Sequence, residues 1–263
     1  MERLAFILSS GRTGTQFLAH YFDANFPGVR ALHEPQPSYN LRIYSNLYTA
    51  GKVSTGRMLA VMRRSRRDIW ASAPGLYVES NPFAYGFAEP LTQLNVQPSI
   101  IHIVRDPRTY VRSAINHGSA SGFKRLVSVV TPYWIPDLSA YRRQYGPLTR
   151  VGRFASQWVH VNGAVSAVEP HYPHYHRFHF EDVFGEDYSG LKGICAALGL
   201  AYPSDDVRLS PDRKMNRSAP KHIGGWREWP AEQCRELHRI CEPLMAQYGY
   251  GGEPEWEACL AGG

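Results

Sequence analysis

The chain has 263 residues, 43% of them hydrophobic, and a formal net charge of +6. That length and apolar content suit one α/β domain or a domain with an added subdomain, and no segment approaches the ~18 apolar residues a membrane span needs. The positive balance suits an anionic ligand, a nucleic acid or an acidic surface, and does not choose among them.

The first element carries the most information. Phe6-Ile7-Leu8 ends in Ser9-Ser10-Gly11-Arg12-Thr13-Gly14-Thr15, then enters Gln16-Phe17-Leu18-Ala19-His20-Tyr21-Phe22, which has helical spacing. A strand that stops in a glycine-containing turn and feeds a helix makes an anion cradle. Backbone N–H groups point at the anion, the helix dipole favours negative charge, and glycine lets the backbone come close. Arg12 adds a fixed positive charge. Met1-Glu2-Arg3 runs straight into this strand without a charged leader, and Cys195, Cys234, Cys241 and Cys259 show no CxxC spacing. The expectation is a cytoplasmic protein with reduced thiols.

Further apolar runs at 29–32, 76–78, 100–104 and 176–180 read as buried parallel strands. Helical patterns lie near 16–25, 55–71, 107–116, 151–168, 191–198 and 231–248. Strands alternating with helices predict a central, mostly parallel sheet flanked by helices, with ligands at the carboxyl ends of the strands. His33-Glu34-Pro35 follows the second run, which sets His33 and Glu34 at the strand edge where a ligand would lie. Arg63-Arg64-Ser65-Arg66-Arg67 is the densest basic run, with Met58, Leu59, Met62, Ile69 and Trp70 at helical spacing around it. It reads as a solvated helix face; the sharper reading is contact with an acidic acceptor.

The fourth run ends in Val104-Arg105-Asp106-Pro107. Asp106 can cap the next helix, Pro107 fits its first turn, and Ser113 follows Arg105 by eight residues, two turns into that helix. An arginine at a strand end with a hydroxyl on the following helix can hold a second phosphate. Residues 118–137 read as a long loop or lid, with Tyr133 and Trp134 as a wall of an acceptor pocket. His171, His174, His176 and His179 read as structural, because His176 shares a strand face with Phe178 and Phe180. Residues 203–225 are irregular. One domain is expected over 1–250, with 251–263 a flexible tail.

Taken in order, these elements resemble the sulfotransferase family that uses 3′-phosphoadenosine-5′-phosphosulfate (PAPS). Arg12-Thr13-Gly14-Thr15 matches the arginine version of that family's 5′-phosphosulfate loop, found in bacterial, carbohydrate and tyrosine members. Arg105, Asp106, Pro107 and Ser113 match its 3′-phosphate element, and Lys221-His222-Ile223-Gly224-Gly225-Trp226 matches its late Gly-x-Trp after a basic loop. The resemblance spans residues 4 to 250. It implies a P-loop-like three-layer fold with a central parallel sheet, PAPS as sulfuryl donor and 3′,5′-adenosine bisphosphate (PAP) as product. Ser10, Gly11, Arg12, Thr13, Gly14, Thr15 and Gln16 would hold the 5′-phosphosulfate, and Arg105 and Ser113 the 3′-phosphate. Ala219-Pro220-Lys221 stands where cytosolic members carry an Arg-Lys-Gly triplet, which leaves Lys221, then Arg217, as the basic residue of that loop.

The mechanism this implies is in-line transfer, carried by positioning and electrostatics. Arg12 would neutralise the leaving 5′-phosphate, no metal is required, and a carboxylate base would deprotonate the acceptor. The glutamate-using branch favours Glu34 over His33. The histidine-using branch places its base beyond the third strand, where this chain has Glu79-Ser80-Asn81-Pro82. The partner expected is a small-molecule or glycan hydroxyl, with no nucleic acid; oligomeric state stays open. Two rivals make other predictions. A P-loop kinase requires Gly-x-x-x-x-Gly-Lys-Ser/Thr, which the chain does not have. A basic nucleic-acid-binding module built on 63–67 leaves the Arg12 and Arg105 elements unexplained.

Overall fold

The computed structural model describes residues 3–117, 135–203 and 223–262. In chain order its elements are β1 Arg3–Leu8, α1 Thr15–Asn25, β2 Val29–His33, α2 Ser38–Thr49, α3 Thr55–Ser72 and β3 Leu76–Ser80. A 3-10 segment Pro82–Phe87 leads into α4 Ala88–Leu91, followed by β4 Ser99–Val104, α5 Pro107–Asn116, α6 Ser139–Tyr145 and α7 Arg150–Ser166. Then come β5 Tyr175–His179, α8 Phe180–Val183, α9 Ser189–Ala197, α10 Ala231–Gln247 and α11 Pro254–Ala261.

The five apolar runs are the five strands. They form one sheet in the order β2-β3-β1-β4-β5, and every neighbouring pair is parallel. The central strands β1, β3 and β4 are buried nearly throughout, as parallel strands covered on both faces are, whereas the edge strands β2 and β5 are only partly buried. On one face Ala5, Ile7, Ala31, Val78, Ile101 and Ile103 pack against Leu18 and Phe22 of α1 and Leu191 and Ile194 of α9. The opposite face includes Phe6, Tyr77 and the wholly buried Glu79 and His102.

The chain divides into two compact units, Met1–Val104 with Ala164–Asn216, and Arg105–Gly163 with Arg217–Gly263. The first holds the sheet. The second is helical and is built around a charged centre. Arg108 is 2% exposed; it donates to both oxygens of Asp106 and, at 2.8 and 2.6 Å, to both oxygens of Glu253. Its guanidinium lies 4.6 Å from the Trp226 ring and 5.2 Å from that of Trp256, and its Nε also donates to Asp106 Oδ1 at 2.9 Å. Two carboxylates and two indoles surround the buried cation.

That centre corrects the expectation of a loose tail over 251–263. Pro254–Ala261 form α11, and Trp256 is fully buried against Trp226, with their rings 5.5 Å apart. The segment's glycines and acids hid the one large side chain that docks it. The helix α2 also went unseen in the sequence. Its buried residues are Ser38, Leu41, Ser45 and Asn46, so its inner face is mostly polar and leaves no apolar period.

In the first unit the chain leaves β1 for β2 on one side of the sheet and β4 for β5 on the other. The strand order therefore reverses between β1 and β4. Such a switch point opens a crevice at the carboxyl ends, the usual place for a ligand in an open α/β sheet.

Candidate functional site

The loop after β1 is wound in a left-handed conformation. Gly11, Arg12 and Gly14 have φ of 83°, 59° and 70°. The Ser9 hydroxyl organises the turn by accepting from the Gly11 N–H at 3.1 Å and the Thr13 hydroxyl at 2.7 Å. The Asn81 N–H donates to the Ile7 carbonyl at 3.1 Å, which ties the loop's base to the end of β3. Gly14 is the N-cap of α1 and has no side chain to occupy the helix's first turn. A Cβ there would lie 2.2 Å from Phe184, so both the conformation and the space require glycine. The Ser10 hydroxyl is buried and has no hydrogen-bond partner among the described residues. A buried hydroxyl is nearly always satisfied in a folded protein. Here it stands in a turn whose backbone N–H groups and helix dipole suit an anion.

The second feature lies at the end of β2. His33 is level with Ser80 of β3, and Ser80 is level with Ile7 of β1, so the three strands end together. The Ser80 carbonyl accepts from the Glu34 N–H at 3.2 Å and meets His33 Nδ1 at 3.1 Å. A carbonyl can only accept, so Nδ1 carries the proton. His33 Nε2 faces Glu34 Oε1 at 3.5 Å. Glu34 has φ of 44°, and its own carbonyl accepts from the Ser38 hydroxyl at 2.8 Å. Burial raises the Glu34 pKa, an effect opposed by the positive charge of Arg42. Burial lowers the His33 pKa, the Ser80 bond opposes this, and His20 adds to the lowering. Arg42 is stacked 4.9 Å over the Phe83 ring.

Among the described residues Arg12, Glu34 and Tyr188 are the non-glycine residues with positive φ. Two of these three are the residues assigned to the phosphosulfate loop and to the base. Each such residue costs about 1–3 kcal/mol, and strained positions of this kind cluster at functional sites.

Glu79, at the third strand, is spent on structure. Arg66 donates to its two oxygens from Nε and Nη2 at 2.6 and 2.8 Å, Tyr77 donates at 2.9 Å and Asn81 at 2.9 Å. Arg66 is wholly buried. The basic run 63–67 is therefore not one solvated face: Arg63, Arg64 and Arg67 are exposed, and Arg66 points inward to β3. Its buried position on α3, one turn from Met62, was open to the sequence as part of the Met58–Met62 stripe; the charge concealed it.

In the second unit, Asp106 caps α5 by accepting from the Arg108 N–H at 2.8 Å, and Pro107 occupies the first turn. Arg105 is half-buried. Its carbonyl accepts from the Trp158 indole at 2.9 Å, and its Nε donates to the Thr109 hydroxyl at 3.0 Å. Asp106 also forms an ion pair with Arg108 at 2.7 Å. Ser113 lies on α5, half-buried. One turn further on, Asn116 makes reciprocal hydrogen bonds with Ile223, 2.9 Å from Nδ2 to the carbonyl and 3.1 Å from the Ile223 N–H to Oδ1. Trp229 donates to the Gly224 carbonyl at 3.1 Å. The late Gly-Gly-Trp segment is thus fixed on the helix that carries Ser113. Arg217, Lys221, Tyr133 and Trp134 lie outside the described residues, as does most of 118–137.

Among the described residues no three metal-ligating side chains converge, and no helix is long and apolar enough to cross a membrane. No family profile and no curated protein matches the chain. Solved structures do. The sulfotransferase domain from the curacin biosynthetic pathway superposes with a TM-score of 0.57 at 15% identity, over 95% of this chain and 98% of its own. The sulfotransferase domain of the Synechococcus PCC 7002 olefin synthase gives 0.49 at 17% identity, covering 93% and 96%. A sulfotransferase from Alicyclobacillus acidocaldarius gives 0.46 at 16%, covering 100% and 97%. At these identities the likeness is one of fold: an α/β domain with an all-parallel five-stranded sheet, as sulfotransferase domains have.

Proposed function

We propose that this chain is a sulfotransferase that moves the sulfuryl group of PAPS to a hydroxyl acceptor, with Glu34 as general base. The observation that carries the reading is the left-handed turn at Gly11, Arg12 and Gly14, beside a buried Ser10 hydroxyl with no hydrogen-bond partner among the described residues. It has the donors an anion needs, and the fold is that of sulfotransferase domains.

PAPS, when bound, supplies an activated sulfuryl group and a 3′-phosphate that distinguishes it from ATP. The chain's residues have the following tasks. The backbone N–H groups of 13–16, with the Ser10 hydroxyl, hold the 5′-phosphosulfate oxygens. Arg12 neutralises the charge that develops on the leaving phosphate. Arg105 and Ser113 bind the 3′-phosphate, and Lys221, or failing it Arg217, adds charge there. Glu34 takes the acceptor's proton. Its raised pKa brings it nearer to working pH, which is where a general base is most effective. The acceptor is a small-molecule or glycan hydroxyl, and the reaction requires no metal from these residues. We assign the protein to the cytoplasm.

The test is nucleotide preference. A ligand that binds only the folded state raises its melting temperature. PAP should stabilise the protein well above 5′-AMP or ATP, and Arg105→Ala should erase that preference. An equal response to the three nucleotides would remove the 3′-phosphate assignment. Screening hydroxyl acceptors with labelled PAPS then identifies the acceptor.

A further inference from the structure

We infer that His33 is the second stop of the acceptor's proton, a relay behind Glu34 rather than a competing base. This rests on the reading of Glu34 as the base and adds the route by which Glu34 is returned to its carboxylate.

The geometry sets the order. His33 Nδ1 is committed as a donor to the Ser80 carbonyl at 3.1 Å. The neutral ring therefore has its lone pair on Nε2, and Nε2 is the atom that faces Glu34 Oε1 at 3.5 Å. A proton that arrives on Glu34 therefore has a second acceptor, the Nε2 lone pair, beyond it. The Ser80 carbonyl also accepts the Glu34 N–H, so a single backbone atom sets the ring and the strained glutamate together. Both side chains are half-buried, which restricts exchange with bulk water without closing it.

The charged neighbours have separable effects. On α1, His20 faces His33 and disfavours a proton on it. Burial raises the Glu34 pKa, and on α2 the charge of Arg42 opposes this and favours the carboxylate. On α3, Arg66 binds the Gln36 carbonyl at 3.2 Å and is tied to Glu79. The relay starts from neutral His33 beside ionised Glu34. In the step, the acceptor O–H bond breaks as an O–H bond forms on Glu34. That proton then passes to Nε2, the Glu34 O–H bond breaks, an imidazolium forms, and it releases the proton to water. No electron changes hands.

The closing experiment has one arm that needs no turnover. Nitrogen NMR of the full chain across a pH titration should show Nδ1 of His33 protonated throughout and Nε2 titrating. In Glu34→Gln the His33 midpoint should fall, because the facing carboxylate is gone. A proton resident on Nε2 instead, or the same midpoint in both proteins, overturns the relay. The second arm is kinetic. The wild type must lose two protons to become active, so the acid limb of log kcat against pH should approach a slope of two. His33→Asn should lower kcat by about tenfold or more at unchanged KM and bring that slope to one. An unchanged kcat and a slope of one in both proteins also overturns it. If the wild type transfers no sulfuryl group while NMR shows the coupled pair, the pair stands and the proposed activity fails. If transfer occurs without coupling, only the relay fails.

Discussion

Two glutamates stand at the carboxyl edge of neighbouring strands, and the structure uses them differently. Glu79 of β3 is level with Leu32 of β2, two residues before Glu34. It accepts from Arg66 twice, from Tyr77 and from Asn81, and is wholly buried. A carboxylate with those donors has its lone-pair directions filled and none left for a substrate proton. Glu34 is half-buried, has the imidazole of His33 at 3.5 Å, and sits on strained backbone. One glutamate holds α3 to the sheet. The other is set at the edge with capacity to spare. The difference lies in the donors that each backbone position brings within reach, since the residue type is the same.

The largest expected effect tests Glu34. Glu34→Gln should reduce turnover by about 10²–10⁴-fold, the range a general base contributes, while PAP still raises the melting temperature as in the wild type. Turnover that survives would place Glu34 with the structural carboxylates. The converse substitution, Glu79→Gln, should cost about 3–5 kcal/mol of stability, because Arg66 keeps its burial and loses its charged partner. Urea denaturation measures this. The double variant Arg66→Met with Glu79→Leu should recover most of the loss, since no buried charge is left. If Glu79→Gln is instead stable but inactive, the two glutamates have exchanged roles. A smaller effect is expected at the loop. Gly14→Ala forces a side chain into a left-handed position and onto Phe184, and should cost about 1–3 kcal/mol together with PAP binding.

Much of this was legible in the sequence, and what was not has physical causes. The central strands β1, β3 and β4 announce themselves, because burial on both faces leaves a run with no alternation of exposure to misread. The left-handed turn after β1 is legible for its own reason: Gly11 and Gly14 are the residues such a turn tolerates. Helix α2 was hidden by Ser45 and Asn46 on its buried face. Arg66 was hidden because a buried arginine has the same letter as an exposed one, and only its partner on β3 distinguishes them. The pairing of His33 with Glu34 was half legible. The two residues are adjacent in the chain, and the sequence offers them as alternatives. Only the Ser80 carbonyl, from a strand more than forty residues away, shows that they are arranged as a pair.

The smallest prediction separates the two glutamates by pH alone. Burial raises the Glu34 pKa in the folded chain, and Arg42 opposes this only in part. A group whose pKa is raised on folding adds stability that is whole below its unfolded value and is lost as pH rises through the folded value. The wild type loses that contribution as pH rises through the folded value, because Glu34 then ionises while incompletely solvated. Glu34→Gln has no such charge, so it should melt above the wild type at about pH 7, and the gap should close towards about pH 4, where the wild-type carboxyl is protonated. His33 acts in the opposite sense. Its pKa is lowered by burial, so its contribution is present above the unfolded histidine value and is lost as pH falls through the folded one. His33→Asn should remove that acid-side loss. Glu79→Gln should lower the melting temperature at neutral pH, because the change strips Arg66 of its counter-charge. A Glu34→Gln protein that melts below the wild type at neutral pH would mean that Glu34, like Glu79, is held for stability, and the contrast between them would collapse. A variant that is more stable and inactive is the signature of a carboxylate kept at the sheet edge for its chemistry and against the interest of the fold.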